Sequence, residues 1–473
     1  MKNSIFSKKE YVKWFIVLIW IVIWSLAAFF AGSDLILPGP HSTLAALIGL
    51  LKTGSFYLNV LWTILRTVLG IVISFSLGAL FAVLAFRNGI IREFLRLPVS
   101  FFKSIPVMAI IIYVILVIKS DWVAVVVCFL MCFPIAYTNI LNGLEALDLK
   151  YLELGRNLGL TGKQMIRFII RPSLDTQIRT ALSLITAMSW KVVVASEVLA
   201  IPKYSIGYQM LNSKYYLETA DLFAYIIVLI VLSLLMEKLV EKLAGLNMAG
   251  LGRSIGRAVQ SRITAGNEEG AARISLDQVT KTYLGEGGET HALTGFSAEF
   301  GPGVTALLGP SGAGKTTVAR IIAELTEADG GEVKREGEPR VAYLFQEDRL
   351  LPWLKVRDNM MLGLISGGRS EGEAQDKIDA MAEDLEIRDA LDMMPHELSG
   401  GMAHRAAMGR TLLYGGNVLI LDEPFRGLDE ELKDRIIERL AGELHPLKGE
   451  RTVILITHDE DLADRLADRK IYI

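Results

Sequence analysis

Val304-Thr305-Ala306-Leu307-Leu308-Gly309-Pro310-Ser311-Gly312-Ala313-Gly314-Lys315-Thr316-Thr317 decides how this chain is read. A short β-prone run leads into a GxxxxGKT loop, and a helical stretch starts at Val318. The glycines let backbone N–H groups turn inward around phosphate oxygens, and a helix N-terminus adds its positive end. Lys315 can then reach the terminal phosphates while the Thr316 hydroxyl can ligate Mg²⁺. The residues expected to hold a nucleotide phosphate are therefore Gly309, Pro310, Ser311, Gly312, Ala313, Gly314, Lys315, Thr316 and Thr317.

Further along, Val418-Leu419-Ile420-Leu421 runs into Asp422-Glu423-Pro424. Four consecutive aliphatics describe a strand buried on both faces of a parallel sheet, and carboxylates at its C-terminal end sit where such sheets bind ligands. An acidic pair ending a strand is often just a solvated turn. This one follows Lys315 by 107 residues. In that context Asp422 would hold Mg²⁺ and Glu423 would act as general base on the attacking water. Leu398-Ser399-Gly400-Gly401-Met402 opens another helical stretch, with Gly415 as terminator. Ser399 is a good N-cap, and two glycines allow close backbone approach to an anion. His458 follows the buried-looking run Val453 to Ile456, which puts it at a sheet end rather than on an open surface.

Charge separates the rest of the chain from this part. Of 473 residues, those up to Leu243 carry 22 Lys/Arg against 13 Asp/Glu, and the remainder carry 27 against 39, so the net −3 hides two unlike pieces. A uniformly soluble enzyme, a disordered chain and a disulfide-stapled domain are excluded. The only two cysteines, Cys128 and Cys132, fall inside an apolar run and read as inert buried thiols.

The first piece reads as membrane, since about 20 apolar residues in helix span a bilayer core. Trp14 to Ser33, Thr67 to Phe86 and Trp122 to Leu144 carry no charged residue. Val99 to Ile118 is interrupted by Lys103, Thr180 to Ala200 by Lys191 and Glu197, and Leu222 to Met236 is short before Glu237. Six spans are expected. The first apolar stretch is longer than that of a cleaved signal, so it reads as retained. Basic clusters at Lys2 to Lys13, Arg87 to Lys103, Lys150 to Arg179, and Lys238 with Lys242 mark alternate sides as cytoplasmic, with both termini inside. Residues 244–272 turn Gly-, Ala- and Ser-rich and read as a linker, with a surface helix around Ser254 to Arg262; no internal repeat is found. Domains are thus expected at 1–243, 244–272 as linker, and 273–473.

The second half resembles the nucleotide-binding domain of ATP-binding cassette transporters over nearly all of Arg273 to Ile473. Five ordered elements carry the likeness: the phosphate loop, Gln346 in Leu344-Phe345-Gln346-Glu347, the Leu-Ser-Gly-Gly signature, Asp422-Glu423, and His458 in Thr457-His458-Asp459. The resemblance implies an α/β P-loop NTPase with a helical subdomain that takes ATP and Mg²⁺. It implies that Tyr283 stacks on adenine, that Gln346 joins Thr316 and Asp422 at the metal and couples the γ-phosphate to the membrane part, and that His458 contacts the γ-phosphate. Ser399, Gly400 and Gly401 would contact ATP held by a second copy, with Gly427-Leu428-Asp429 crossing that interface. The signature departs from the common pattern at Met402 and His404.

The first half resembles the permeases of binding-protein-dependent importers, an all-α six-span transmembrane domain of the type I importer kind. Their cytoplasmic loop is matched here at Glu153, Gly159, Ile169 and Pro172. Physically, a helix, a Gly turn and a Pro-limited second helix make a knob that can dock on an ATPase. Leu35 to Pro40 and Trp190 to Ala200 look like the nitrate, sulfonate and taurine branch. The resemblance implies a homodimeric permease–ATPase fusion in the cytoplasmic membrane, with its ATPase domain inside. It would import a small solute, delivered by a separate extracytoplasmic binding protein, with lipid around it and no role for nucleic acid. A pyrimidine precursor of thiamine, an exporter half-transporter and a non-transporting ATP-driven sensor stay open as alternatives. Lys191 and Glu197 are candidates for the substrate path, because charges within a span usually face a bundle interior or aqueous cavity. Six residues apart on a helix, they point in different directions and should not pair. Arg66, at the outer end of the second span, reads as a snorkelling anchor.

Overall fold

The structure is a computed structural model that describes residues 3–246, 272–285, 288–365, 371–444 and 451–473. Most of the expected linker, with the surface helix at Ser254 to Arg262, lies outside the described residues. The chain forms two compact units. One comprises residues 3–147 and 173–246; the other joins 148–172 to 272–473, so the expected cytoplasmic loop belongs with the second unit.

The first unit is helical: α1 (Asn3–Ala31), α2 (Pro40–Leu51), α3 (Gly54–Arg87), α4 (Gly89–Ser104), α5 (Val107–Val117) and α6 (Ser120–Glu145) precede the loop. Within the second unit, α7 (Leu149–Asn157), α8 (Gly162–Met165), a π-helical turn (Ile166–Ile170) and α9 (Arg171–Ser173) form the loop itself. The first unit resumes with α10 (Asp175–Ala200), α11 (Ile206–Tyr215) and α12 (Thr219–Leu246). Among the described residues α3, α6, α10 and α12 are long and apolar enough to cross a membrane, and Phe15–Ala31 is a shorter apolar helix.

The expected straight span Val99 to Ile118 is instead broken. α4 and α5 meet at 107°, which makes five candidate spans if the bent pair is counted as one. The break follows from Pro106: the residue before a proline is pushed to extended geometry, and Ile105 has ψ 136°. α4 also exposes Ile90, Phe94, Leu97 and Phe101. These lie on one face at helical spacing, opposite Arg92, Arg96 and Lys103, a pattern suited to lying along a membrane surface rather than across it. α3 and α6 pack tightly because α3 presents glycines. A Cβ on Gly70 would stand 2.5 Å from Cys128 Sγ, in a core where both cysteines are buried and reduced.

In the second unit, β1 (Arg273–Gly285) and β2 (Gly288–Phe300) form a hairpin, and β1 also pairs with β4 (Gly330–Glu336) in an antiparallel sheet. β3 (Gly303–Leu308) leads through the phosphate loop into α13 (Lys315–Ile322). The main sheet is parallel and ordered β5-β6-β7-β3-β8, with β5 (Val341–Leu344), β6 (Val418–Asp422), β7 (Thr452–Ile456) and β8 (Arg469–Tyr472). Every residue of β6 and β7 is buried, as continuous aliphatic runs in a doubly covered parallel sheet must be. Helices α14 (Val356–Leu364), α15 (Glu371–Asp384) and α16 (Gly400–Tyr414) form the helical part, followed by α17 (Glu430–Leu444) and α18 (Glu460–Leu466).

Candidate functional site: a phosphate loop, an acidic strand end and a docked knob

The C-terminal ends of three adjacent strands, β6, β7 and β3, build the site. Asp422 lies level with Ile456, and Leu307 pairs with the same residue, so the phosphate loop, the acidic pair and His458 converge at one sheet edge. Gly314 caps α13 with φ 100°, a conformation that side chains avoid, and a Cβ there would collide with Ala292 O. Lys315 donates to Gly309 O (2.6 Å) and Pro310 O (2.9 Å), its own loop's carbonyls. An arriving phosphate therefore has to exchange these bonds for ones in which both partners are charged.

Thr316 Oγ1 donates to Asp422 Oδ2 at 3.0 Å, and Tyr343, which the sequence reading missed, donates its phenol to the same oxygen at 3.2 Å. Burial pushes the Asp422 carboxyl above its usual range, and these two hydrogen bonds offset part of that. Burial next to this carboxylate also holds the Tyr343 phenol well above its ordinary value, so it stays a neutral donor. One carboxylate and one hydroxyl fit Mg²⁺, which is hard, prefers oxygen and keeps open positions for phosphate and water. No cluster of three or more His, Cys, Asp or Glu suited to another metal occurs among the described residues.

Glu423 has φ 52°, a left-handed conformation worth about 1–3 kcal/mol of strain in a non-glycine residue. Its N–H is fixed on Ile456 O at 2.9 Å, and its Oε1 lies 3.3 Å from His458 Nδ1. The candidate base and the candidate γ-phosphate sensor are thus already neighbours. Ser399 caps α16 by accepting from Met402 N, and Gly415 ends that helix in the left-handed conformation. Gln346, Gly400 and Gly401 line a cleft of about 620 Å³ with Lys150 and Gly427. His404 fills its position by bonding Asp348 Oδ1 (2.7 Å) and Pro424 O (2.9 Å). Tyr283 is half-exposed on β1, with Lys281 over its ring.

The knob is docked on this same unit. Glu153 Oε1 accepts from Arg320 of α13 at 2.6 Å, and its Oε2 accepts from Arg320 at 3.2 Å and from Arg349 at 2.8 Å. Burial raises the Glu153 carboxyl, but the two arginines outweigh it and hold it below the usual range. Gly159 makes the turn with φ 60°, and Ile169 and Pro172 are buried. A Cβ on Gly155 would stand 2.6 Å from Ile169 Cδ1. Trp353 Nε1 donates to Phe168 O at 2.9 Å, and Asn157 bonds the edge strand β5 at Val341 O and Tyr343 N.

In the first unit, Glu197 is fully buried and Lys191 is exposed, so they do not meet. Arg66 does not snorkel. At 4% exposure its Nη1 donates to Glu197 Oε1 (2.9 Å) and Tyr204 O (2.7 Å), and Thr63 and Gly207 N also donate to the Glu197 carboxylate.

Residues 293–426 match the sequence model of the ABC transporter family, and residues 70–244 match that of the binding-protein-dependent transport system inner membrane component. One stretch of the chain thus matches an importer-permease model and another matches an ABC transporter model. It is 41% identical over 169 residues to the aliphatic sulfonates import ATP-binding protein SsuB of Corynebacterium glutamicum, covering 35% of this chain and 66% of that one. It is 36% identical over 208 residues to the sn-glycerol-3-phosphate import ATP-binding protein UgpC of Cupriavidus metallidurans, covering 42% of this chain and 55% of that one. A dimeric structure of a bacterial ABC transporter cassette is 26% identical, with a TM-score of 0.38, and covers 42% of this chain and 94% of that one. The chain thus spans between 55% and 66% of the length of these two curated relatives.

Proposed function

We propose that this chain is an ATP-driven importer of a small solute that works as a homodimer in the cytoplasmic membrane. The carrying observation is the knob: residues 148–172, within the stretch that matches the permease family, are clamped through Glu153 onto Arg320 and Arg349 of the ATPase fold. A loop of that kind seated on a nucleotide-binding unit transmits movement between the two. ATP lies between the phosphate loop of one copy and Ser399 to Gly401 of the other. Lys315 holds phosphate, Thr316, Asp422 and Gln346 hold Mg²⁺, Glu423 activates water, His458 senses the γ-phosphate and Tyr283 meets adenine. Residues 1–243 form a six-span permease, residues 244–272 a linker and residues 273–473 the ATPase, with both termini cytoplasmic.

A separate extracytoplasmic binding protein delivers the solute. We favour a small anion of the nitrate, sulfonate or taurine type. An exposed Lys191 in the middle of a long apolar helix suits an anion path, and one of the relatives above is named for sulfonate import. Two measurements test this reading. In vesicles, a solute-loaded binding protein captured on the immobilised full-length chain should stimulate ATP hydrolysis, and ATP turnover with no solute flux in either direction would exclude transport. Glu423→Gln should keep nucleotide binding and lose turnover by about 100-fold or more, the scale of a missing general base; near-wild-type hydrolysis would refute that assignment.

A further inference from the structure

Strand β5 is the edge of the parallel sheet, and an edge strand leaves N–H and C=O groups unpaired. The knob fills that edge. The Asn157 side chain acts like a short stretch of neighbouring strand, since its Nδ2 donates to Val341 O at 3.0 Å and its Oδ1 accepts from Tyr343 N at 3.3 Å. Tyr343 is therefore held by the knob at its backbone. At its other end it is held by the acidic site, through the 3.2 Å bond from its phenol to Asp422 Oδ2.

The hydroxyl is an exception within its strand. Val341, Ala342 and Leu344 are apolar, and Tyr343 is only 2% exposed, so phenylalanine would fill the same space. A buried hydroxyl is costly unless it is bonded, and here its bond goes to the carboxylate that ends the neighbouring strand. A second track runs alongside. The Tyr343 ring lies 4.3 Å from that of Phe345, the Arg349 guanidinium sits 3.8 Å over Phe345, and Arg349 reaches Glu153 on the knob. Thr316 and Tyr343 share one oxygen of Asp422. Once the Thr316 hydroxyl is given over to an ion, the phenol is what remains to aim that carboxylate.

We propose that Tyr343 is a positioning residue that joins the docked knob, through Asn157, to the Asp422 carboxylate, so that knob docking sets the divalent-ion affinity of the nucleotide site. This rests on the reading that Asp422 and Thr316 hold the ion. It adds to Gln346 a second route, one that reaches the ion through Asp422.

The test uses the full chain in lipid nanodiscs. Mn²⁺ stands in for Mg²⁺ and is titrated by electron paramagnetic resonance at saturating AMP-PNP, while metal-free nucleotide affinity is read with TNP-ATP in EDTA. Tyr343→Phe should weaken Mn²⁺ binding about tenfold, the scale of one hydrogen bond to a charged group, with metal-free nucleotide affinity unchanged. Asn157→Ala should weaken Mn²⁺ about threefold, the scale of a neutral hydrogen bond. The double variant should be no worse than Tyr343→Phe alone, because the route is already cut. Wild-type Mn²⁺ affinity in Tyr343→Phe, equal loss of metal-free nucleotide binding, or effects that multiply in the double variant would each overturn the proposal. Absence of nucleotide-dependent Mn²⁺ binding in the wild type would instead remove the ion site itself, and the proposal with it.

Discussion

Glu153→Gln is the most informative single change to the docked knob. The substitution keeps the side-chain volume and removes the charge. Glu153 spends that charge on three contacts, at 2.6 and 3.2 Å to Arg320 and 2.8 Å to Arg349, with its side chain 22% exposed and Arg349 11% exposed. A hydrogen bond to a charged partner contributes about 1.5–3 kcal/mol, and a glutamine can replace one bond weakly while leaving a guanidinium under-paired. The net cost to docking should be about 2–4 kcal/mol after that partial replacement. Native-state hydrogen exchange reads it directly. Amides of α7 should lose protection by about 30-fold or more, because each 1.4 kcal/mol is a factor of ten, while β6 and β7 should keep theirs. A double-mutant cycle with Arg349→Met separates this pair from general damage: the two effects should fall short of additivity by 0.5 kcal/mol or more, roughly the range seen for residues in contact. If α7 protection falls less than threefold, or the cycle closes additively, the clamp does not hold the knob.

Three further outcomes follow from the same geometry. Because Glu153 is held below its ordinary value, its contribution to docking is fully present above about pH 4.3 and is lost as pH falls through the lower folded value. Trp353, hydrogen-bonded to Phe168 O and edge-on to Tyr151, should report that acid undocking as a fluorescence change absent from Trp353→Phe; an unchanged signal down to pH 3 would contradict it. Arg66→Met should destabilise the first unit by about 3–5 kcal/mol, since it leaves the fully buried Glu197 without its cation, and Arg66→Met with Glu197→Met should recover much of the loss. Thermal unfolding in detergent checks this, and a double variant less stable than either single would refute it. Gly155→Leu should loosen the knob itself, because its side chain would occupy the space of Ile169 and Met165 on the knob's own second helical segment; wild-type α7 protection in that variant would show that this internal packing is not needed.

What the sequence could and could not say divides along separation in the chain. The phosphate loop reads directly because strand, loop and helix follow one another within 19 residues, from Val304 to Ile322, and each carries its own local signal. The Ser399 cap and the Gly415 terminator read for the same reason, since each is settled within one turn of helix. Arg320, Arg349 and Tyr343 carry no such mark. Their partners on the knob lie 167, 196 and 186 residues away, and no spacing within the chain announces the pairing.

Arg66 shows the same limit from the other side. Hydropathy puts a charge near a span end and suggests snorkelling, yet its partner Glu197 is 131 residues away on another helix, and only packing brings the two together. The break in Val99 to Ile118 is a different failure. Pro106 announced it in the sequence, but counting apolar residues weighs composition and overlooks the one residue whose geometry decides direction. Knob and nucleotide site therefore read well as separate motifs. Their joint action rests on Asn157, Tyr343 and the two arginines, residues whose importance comes wholly from what the fold sets beside them.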